Sequence, residues 1–279
     1  MQITVGHTPD ADDAFMFYGI AKEKVKSHEF DIIHVIDDIE SLNKRAINHE
    51  LDITAISAHA YAYLSDYVIL QSGGSFGINY GPIVVSKKTV NNYKNPEDIT
   101  IAIPGKMTSA ALLLLLAKDD FITNFNTKEM SFDLIPSAVL EEQVNAGLVI
   151  HEAQITYDNL HLHKIFDLGS WWNKITDGLP VPLGINVASK RRLDRSQITK
   201  FDILFKKSII YGLNNMNEAV DYAMQYSRGQ SKELITKFVK MYVNEITISM
   251  GLNGQNAIKK LFQIAEDKGL ISHIDLDFI

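Results

Sequence analysis

Cysteine is absent from this sequence of 279 residues. Disulfide bonds, thiolate metal sites and a cysteine nucleophile are therefore excluded. Basic residues are in the minority, with 27 Lys and Arg against 34 Asp and Glu and a net charge of −7. Because no basic cluster is longer than residues 190–192, a nucleic-acid groove is not expected. The sequence favours a small-molecule partner whose charge is balanced by residues close to the binding site.

Long apolar runs are missing as well, and no secretion signal is expected. The longest apolar run, 110–117, is far shorter than the roughly 20 residues that a membrane helix needs. Residues 1–6 are typical of a first β-strand and lack the basic and apolar regions of a secretion signal. We therefore expect a cytoplasmic protein without membrane contact, whose oligomeric state the sequence does not decide.

Short apolar strands alternate with amphipathic helical stretches along the chain, which favours a layered α/β fold. The pattern predicts, among other elements, a helix over 14–21, a strand over 131–134 and a helix over 138–146. Residues 200–279 are almost entirely helical in pattern. We expect this C-terminal part to pack against the rest of the fold without contributing to the chemistry.

Two segments, 81–88 and 182–191, resemble each other: each has a Gly/Pro turn, a short apolar strand, a serine and a basic pair. They fit two antiparallel crossover strands between lobes, although ordinary strand ends of similar composition would look alike. The crossover interpretation predicts a discontinuous large lobe, 1–86 plus 185–279, and a small lobe, 87–184. A ligand site between the lobes and a hinge at the two strands would follow.

The loop after the first predicted strand is a candidate ligand contact, since ligands of open α/β sheets bind at such positions. Its residues Asp10, Asp12 and Asp13 are spaced in a way that hints at a hard-metal site. The glycine and distant glutamate of a calcium loop are missing, so we expect no metal. Asp12 or Asp13 could instead cap the following helix, with or without ligand contact.

Two further turns lead from a predicted strand into a helix. In 54–58, small residues allow close approach of a ligand, and Ser57 could cap the helix. In 104–110, a glycine turn leads through Thr108 and Ser109 into a helix whose free N–H groups and positive end suit a carboxylate. Simple capping is the alternative at both turns.

The predicted strand 148–151 ends in His151, a residue type that titrates near neutrality and can act as a general base. A histidine that only bonds to backbone fits the same pattern. Glu152 is expected to point to the opposite face of the strand and not to contact His151. Whether Trp171 and Trp172 line a cleft is not decided by the sequence.

Several motifs carry a family resemblance when they are taken in order. They are 38–43, 72–74, 81–85, the Pro-Gly turn with 108–110, 148–157 with Ile-His-Glu, 167–172 with Leu-Gly-Ser-Trp-Trp, and 179–184. Together they resemble the 1,4-dihydroxy-6-naphthoate synthases of the futalosine route to menaquinone. The resemblance implies a two-lobed fold like the type-2 periplasmic binding proteins. It also implies a carbon–carbon lyase that cleaves cyclic dehypoxanthinyl futalosine into 1,4-dihydroxy-6-naphthoate and dihydroxyacetone without a cofactor.

The resemblance also implies residue roles. The base is His151, and the substrate contacts are Ala55, Ile56, Ser57, Ser109 and Ala110, to which the turn at Thr108 adds a sixth. The chain departs from relatives at 8–14, where Ser-Pro-Cys-Pro-Asn-Asp-Thr is common, and at position 55, where some have lysine. For this reason the sequence does not decide which regioisomer of the naphthoate is the product.

Two other functions are compatible with the same features. One is a chorismate dehydratase, a sibling activity on a carboxylated substrate, which a product assay would distinguish. The other is a non-catalytic protein that binds small anions. A ligand bound far from His151 would favour that second alternative.

Overall fold

The computed structural model describes residues 1–89, 99–122 and 124–279. The β-strands in these ranges are β1 (Gln2–His7), β2 (Asp31–Ile36), β3 (Ile53–Ser57), β4 (Tyr67–Ile69), β5 (Ser75–Gly77), β6 (Ile83–Ser86), β7 (Thr100–Ile103), β8 (Asn126–Glu129), β9 (Ala146–Val149), β10 (His163–Asp167) and β11 (Val181–Ser189).

The α-helices in the same ranges are α1 (Ala11–Ala21), α2 (Ile39–Ile47), α3 (Ser109–Leu116), α4 (Lys118–Phe121), α5 (Ile135–Leu140), α6 (Ala153–Thr156), α7 (Leu168–Ile175), α8 (Arg195–Asn214), α9 (Met216–Ala223), α10 (Lys232–Tyr242), α11 (Glu245–Ile248) and α12 (Gly251–Asp267). Short 3₁₀ helices cover Ala58–Tyr63, Phe132–Leu134, Tyr157–Leu160 and Met224–Tyr226. In this described part of the chain, no helix has both the length and the apolar character that crossing a membrane requires.

Two β-sheets form the centre of the fold. The larger sheet has the order β2-β1-β3-β11-β4, with β5 also paired to β11, and the second sheet has the order β10-β6-β9-β7-β8. In the larger sheet β1 is parallel to β2 and β3, whereas β11 runs antiparallel to β3. In the second sheet β7 is parallel to β8 and β9. The expected α/β fold class is confirmed, with parallel and antiparallel strand pairs in two sheets.

Helix α3 shows how local sequence determines the fold beside the cleft. Its eight residues are a serine, two alanines and five leucines, and all but Leu115 are buried. A helix that is apolar on every side is stable only inside a core. The Thr108 side chain caps its start by accepting a hydrogen bond from Ala111 N at 3.2 Å. The N-terminus of α3 is therefore held at a fixed place between the two sheets.

Two chain segments connect the sheets and run side by side. Strand β5 pairs antiparallel with the first part of β11, with Gly77 opposite Val181 and Ser75 opposite Gly184. Strand β6 belongs to the second sheet, while β11 continues into the larger one. The lobe boundaries and the hinge stay predictions, and residues 90–98 and 123 of the expected small lobe lie outside the described residues.

Two predicted elements of the region 87–184 are wrong. The expected strand over 131–134 is a 3₁₀ helix, Phe132–Leu134, and the strand of this region is β8. All four residues of β8 are exposed, so the strand carries no apolar alternation that would reveal it. The expected helix over 138–146 is α5, which has Pro136 in its first turn and ends before β9 begins.

Candidate functional site

A cleft with about 690 Å³ of space, part of it open to solvent, lies between the two sheets. Both sheets and several helices contribute to its wall. The predicted residues that line it are Ala55, Ile56, Ser57, Thr108, Ser109, Ala110 and His151. The structure thus brings all seven candidates to one cleft, although their individual roles stay predictions.

His151 lies in the turn after β9 and not in the strand itself. Its φ is +54°, a left-handed conformation that costs a non-glycine residue about 1–3 kcal/mol and is concentrated at functional sites. Its Nδ1 is buried and has no hydrogen-bond partner, whereas Nε2 lies 3.6 Å from Asp10 Oδ2. The predicted strand end at residue 151 is therefore wrong, and with it the strand-based argument about Glu152.

The ring of His151 is held by aromatic neighbours. Its centroid lies 4.8 Å from that of Phe132 and 6.5 Å from that of Tyr242, to which it is nearly parallel. Tyr242 is itself buried and accepts a hydrogen bond from Gln154 Nε2 at 2.9 Å. These contacts fix the plane of the imidazole and leave Nδ1 as its unpaired nitrogen.

Asp10 connects His151 to an arginine far along the chain. Its Oδ1 accepts a hydrogen bond from Arg228 Nη2 at 2.8 Å, and the guanidinium also lies 4.7 Å from the centre of the Phe132 ring. Asp10 occupies the N-cap position of α1, but its side chain makes no capping hydrogen bond. The Asp10 carboxylate therefore faces a permanent positive charge on one side and the histidine on the other.

Asp12 and Asp13 lie inside the first turn of α1, so the prediction that one of them caps this helix is wrong. Asp13 Oδ2 accepts hydrogen bonds from the backbone N and the hydroxyl of Thr8 at 2.6 and 2.8 Å. Asp12 lines the cleft, and its Oδ1 is buried without a partner. The two adjacent carboxyl groups thus have different surroundings.

Burial and like charges shift the proton affinity of both groups. Burial raises the pKa of Asp12 well above its usual value, and the carboxylates of Asp13, Asp10 and Glu152 raise it further. Burial also raises the pKa of Asp13 to about 6, against the opposing effect of the hydrogen bonds from Thr8. Both effects favour the protonated, neutral form of Asp12.

Asp10, Asp12 and His151 are close enough to surround a cation, with candidate ligand atoms all within 4.8 Å of one another. The guanidinium of Arg228 already binds Asp10, and its positive charge opposes a cation there. A proton on Asp12 would oppose it as well. We assign no metal to this cluster, and the predicted absence of a metal cofactor stays a prediction.

The N-terminus of α3 forms the opposite end of the cleft. The Ser109 hydroxyl donates to Leu183 O at 2.5 Å and accepts a hydrogen bond from His59 N at 3.3 Å. Its proton is therefore engaged in this conformation. The backbone N–H groups of Ser109 and Ala110 belong to the first helical turn and have no partner within the helix. They are the donors that remain for an anionic ligand.

Ser57 does not cap the 3₁₀ helix that follows it, so that expectation is wrong. The buried side chain of Asn43 explains this, because it engages both polar groups of the residue. Ser57 N donates to Asn43 Oδ1 at 2.8 Å, and Asn43 Nδ2 donates to Ser57 Oγ at 3.2 Å. The turn after β3 is held by a neighbouring helix, α2.

Two residues of the C-terminal part, 200–279, lie at the site, while the expected lack of a chemical role for this part stays a prediction. Tyr242 lines the cleft and Arg228 binds Asp10. No local sequence signal connects either residue to a site 88 or 218 positions away. The two tryptophans lie elsewhere: the indole N–H of Trp172 donates to Pro180 O, and that of Trp171 donates to Asp120.

Comparison with known proteins finds a family model described as menaquinone biosynthesis, which matches residues 3–267. A 1,4-dihydroxy-6-naphthoate synthase from Thermus thermophilus is 35% identical over 96% of this chain and 95% of its own. A synthase of the same name from Streptomyces coelicolor is 30% identical over 99% of this chain and 96% of its own.

Solved structures resemble the chain as well. A crystal structure from Archaeoglobus fulgidus is 47% identical, with a TM-score of 0.90 over 97% of this chain and 98% of its own. A Candida albicans protein described as having the generic periplasmic binding protein fold is 15% identical, with a TM-score of 0.68 over 99% and 92% of the two chains. That second likeness shows the fold alone, and it agrees with the predicted fold class.

Proposed function

The chain belongs to the menaquinone biosynthesis family, and from this premise we propose that it acts as a 1,4-dihydroxy-6-naphthoate synthase. The substrate in this proposal is cyclic dehypoxanthinyl futalosine. The reaction is a carbon–carbon cleavage that releases dihydroxyacetone without a metal or organic cofactor. The cytoplasm as its place of action stays a prediction.

The observation that carries the proposal is the environment of His151. His151 lines the cleft, one of its ring nitrogens is buried without a partner, and a carboxylate lies 3.6 Å from the other nitrogen. When Nε2 carries its proton toward Asp10, Nδ1 has a free lone pair and can accept a proton from the substrate. Asp10 then stabilises the imidazolium that forms. This arrangement suits a general base.

The charges of the cleft support one orientation of the substrate. The carboxylate of Asp10 lies beside His151 and that of Asp13 lines the cleft, and both would repel an anion. The positive end of α3, with the free N–H groups of Ser109 and Ala110, would attract one. We therefore place the carboxylate of the substrate at α3 and its uncharged, sugar-derived part beside the aspartates.

His151 in this orientation removes a proton from the ring system that becomes aromatic. The carbon–carbon bond to the sugar-derived fragment breaks, and aromatisation of the ring makes the step favourable. Apolar and aromatic side chains around His151 limit the access of water to the carbanion-like intermediate. The proposed cleavage needs no oxidant, because the substrate divides into two products without a change in electron count.

The decisive experiment is incubation of the purified protein with cyclic dehypoxanthinyl futalosine and detection of both products by mass spectrometry. Chorismate is tested in parallel, because a chorismate dehydratase is the competing enzyme. Formation of 1,4-dihydroxy-6-naphthoate supports the proposal. Dehydration of chorismate alone, or binding of either compound without turnover, would replace it with one of the alternatives.

The anchor of the carboxylate can be tested at Ser109. Because its hydroxyl is engaged with Leu183 O and the backbone donors survive the change, we expect Ser109→Ala to weaken binding of 1,4-dihydroxy-6-naphthoate by no more than about tenfold. Calorimetry with the acid and its neutral amide should show that both proteins prefer the acid. Ser137→Ala is the matched control, because Ser137 also donates to a carbonyl but is exposed and outside the cleft. Equal binding of acid and amide by the wild type would place the anchor elsewhere.

A hinge at the two connecting segments predicts that ligand binding compacts the protein. The pairing of β5 with the start of β11 lets both segments bend together, with one sheet moving against the other. Small-angle scattering should give a smaller radius of gyration at saturating product than without it. An unchanged radius would mean that the two sheets do not move.

A further inference from the structure

Asp12 lines the cleft but has no role in the proposed base mechanism. Its side chain is only 5% exposed, it lines the cleft, and its Oδ1 has no hydrogen-bond partner. A candidate ligand atom of Asp12 lies within 4.8 Å of one on His151 and one on Asp10. Buried carboxyl oxygens are normally paired, so an unpaired one on a residue that lines the cleft calls for a function.

The charges around Asp12 decide its state. The titratable and charged groups that face it or its immediate neighbours are Asp10 and Asp13 from the start of α1, His151 and Glu152 from the turn after β9, Tyr80 before β6, Tyr242 from α10, and Arg228 bound to Asp10. Negative charge predominates in this set, and Arg228 is engaged by Asp10. A neutral carboxyl group fits these surroundings better than an ionised one.

We propose that Asp12 is the general acid of this site and gives a proton to the fragment that leaves when His151 acts as the base. This inference rests on the proposed function and adds the residue that the departing fragment requires. Its carboxyl O–H would point from the unpaired Oδ1 into the cleft, on the side where the charges place the sugar-derived part of the substrate.

The step balances in protons and electrons. His151 Nδ1 takes a proton from the ring, and the electron pair of that bond becomes part of the aromatic system. The carbon–carbon bond breaks, and its electron pair leaves with the three-carbon fragment as an enolate-type anion. Asp12 protonates this anion to give neutral dihydroxyacetone. The protein is left with an imidazolium and an additional carboxylate.

The same geometry allows the pair to reset. After release of the products, one candidate ligand atom of protonated His151 and one of ionised Asp12 lie within 4.8 Å of each other, a distance that one water molecule can bridge. The proton returns from the imidazolium to the carboxylate, whose surroundings favour the neutral form. The cycle therefore neither takes up nor releases a proton overall.

Replacement of Asp12 by its neutral isostere is the first test. Asp12→Asn keeps the shape but has no acidic proton, so kcat should fall by about 100- to 10,000-fold, the usual contribution of a general acid. Product affinity and the circular dichroism spectrum should be unchanged. If the wild type turns over the substrate and Asp12→Asn loses less than about tenfold, the assignment of Asp12 is wrong. If the wild type gives no naphthoate product, the proposed function fails, and this inference fails with it.

The pH dependence gives a second, independent readout. A general acid acts only while protonated, so kcat/KM should fall as pH rises through the pKa of Asp12. Glu152 raises that pKa by its negative charge. Glu152→Gln should therefore move the descending limb to lower pH while the rate at the optimum is retained. A descending limb that is identical in wild type and Glu152→Gln would overturn the proposal.

A chelator distinguishes the acid from a cation site formed by the same residues. Turnover in EDTA should equal turnover in added Mg²⁺ or Mn²⁺ if Asp12 carries a proton. Activity that is lost in EDTA and restored by either metal would show that the cluster holds a cation, and would overturn the assignment of Asp12 as an acid.

Discussion

His151→Asn should lower kcat/KM by at least about 100-fold, the lower end of what a general base contributes. Asparagine is the suitable replacement, because it tolerates the left-handed backbone at this position better than most residues. Its amide cannot accept a proton at working pH. The measurement is steady-state formation of 1,4-dihydroxy-6-naphthoate, with thermal melting to show that the fold is intact.

The chain offers a matched control for this variant. His161 has nearly the same backbone conformation, with φ +55°, but it is exposed and does not line the cleft. His161→Asn should therefore leave activity within a few-fold of wild type while making the same chemical change. Comparable losses in the two variants would mean that His151 acts through the fold and not as a base.

Trp172→Ala should have the largest effect on stability, a loss of about 3–5 kcal/mol in the free energy of unfolding. The side chain is 0% exposed, belongs to the apolar core between the sheets, and donates from its indole N–H to Pro180 O at 3.1 Å. Truncation leaves a cavity and an unpaired carbonyl next to the start of β11. Urea unfolding followed by far-ultraviolet circular dichroism measures the change without relying on tryptophan fluorescence.

The neighbouring residue is the control for this substitution. Trp171 is only partly buried, and its indole N–H bonds to the exposed carboxylate of Asp120. Trp171→Ala should cost about 1 kcal/mol, near the average for single substitutions. Equal losses for the two tryptophans would contradict the difference in burial. The active site should keep its catalytic rate in Trp171→Ala, since neither indole lines the cleft.

The sequence predicts those parts of the molecule whose signals are local. Buried strands such as β3 and β7 are short apolar runs, and α3 is a run of leucines after a threonine cap, so their positions follow from nearby residues. Strand β8 has four exposed residues and, among the described strands, pairs only with β7, so tertiary context alone identifies it. The register of β11 between β3 and β4 likewise depends on partners more than 100 residues away.

The candidate site also contains some residues that the sequence predicts and others that it does not. Ser57, Ser109 and His151 each follow a strand, and the ends of strands are where α/β sheets bind ligands. Tyr242 reaches the cleft because α10 packs against α1, and Arg228, in the turn before α10, binds Asp10 beside His151. Nothing near either residue in sequence connects it to the site. The conformation of His151 could not be foreseen either, because its neighbours contain no glycine-like turn signal.

The position of β11 determines the order in which this protein can fold as it leaves the ribosome. All strands of the second sheet come from one continuous stretch of chain, so that sheet can form early. In the larger sheet β4 pairs with β11 and not with β3, although β3 and β4 are synthesised long before. The last residues complete the same edge, where Phe278 bridges Ile69. We expect the nascent larger sheet to stay open until β11 inserts, which makes this late, long-range pairing the slow step of folding.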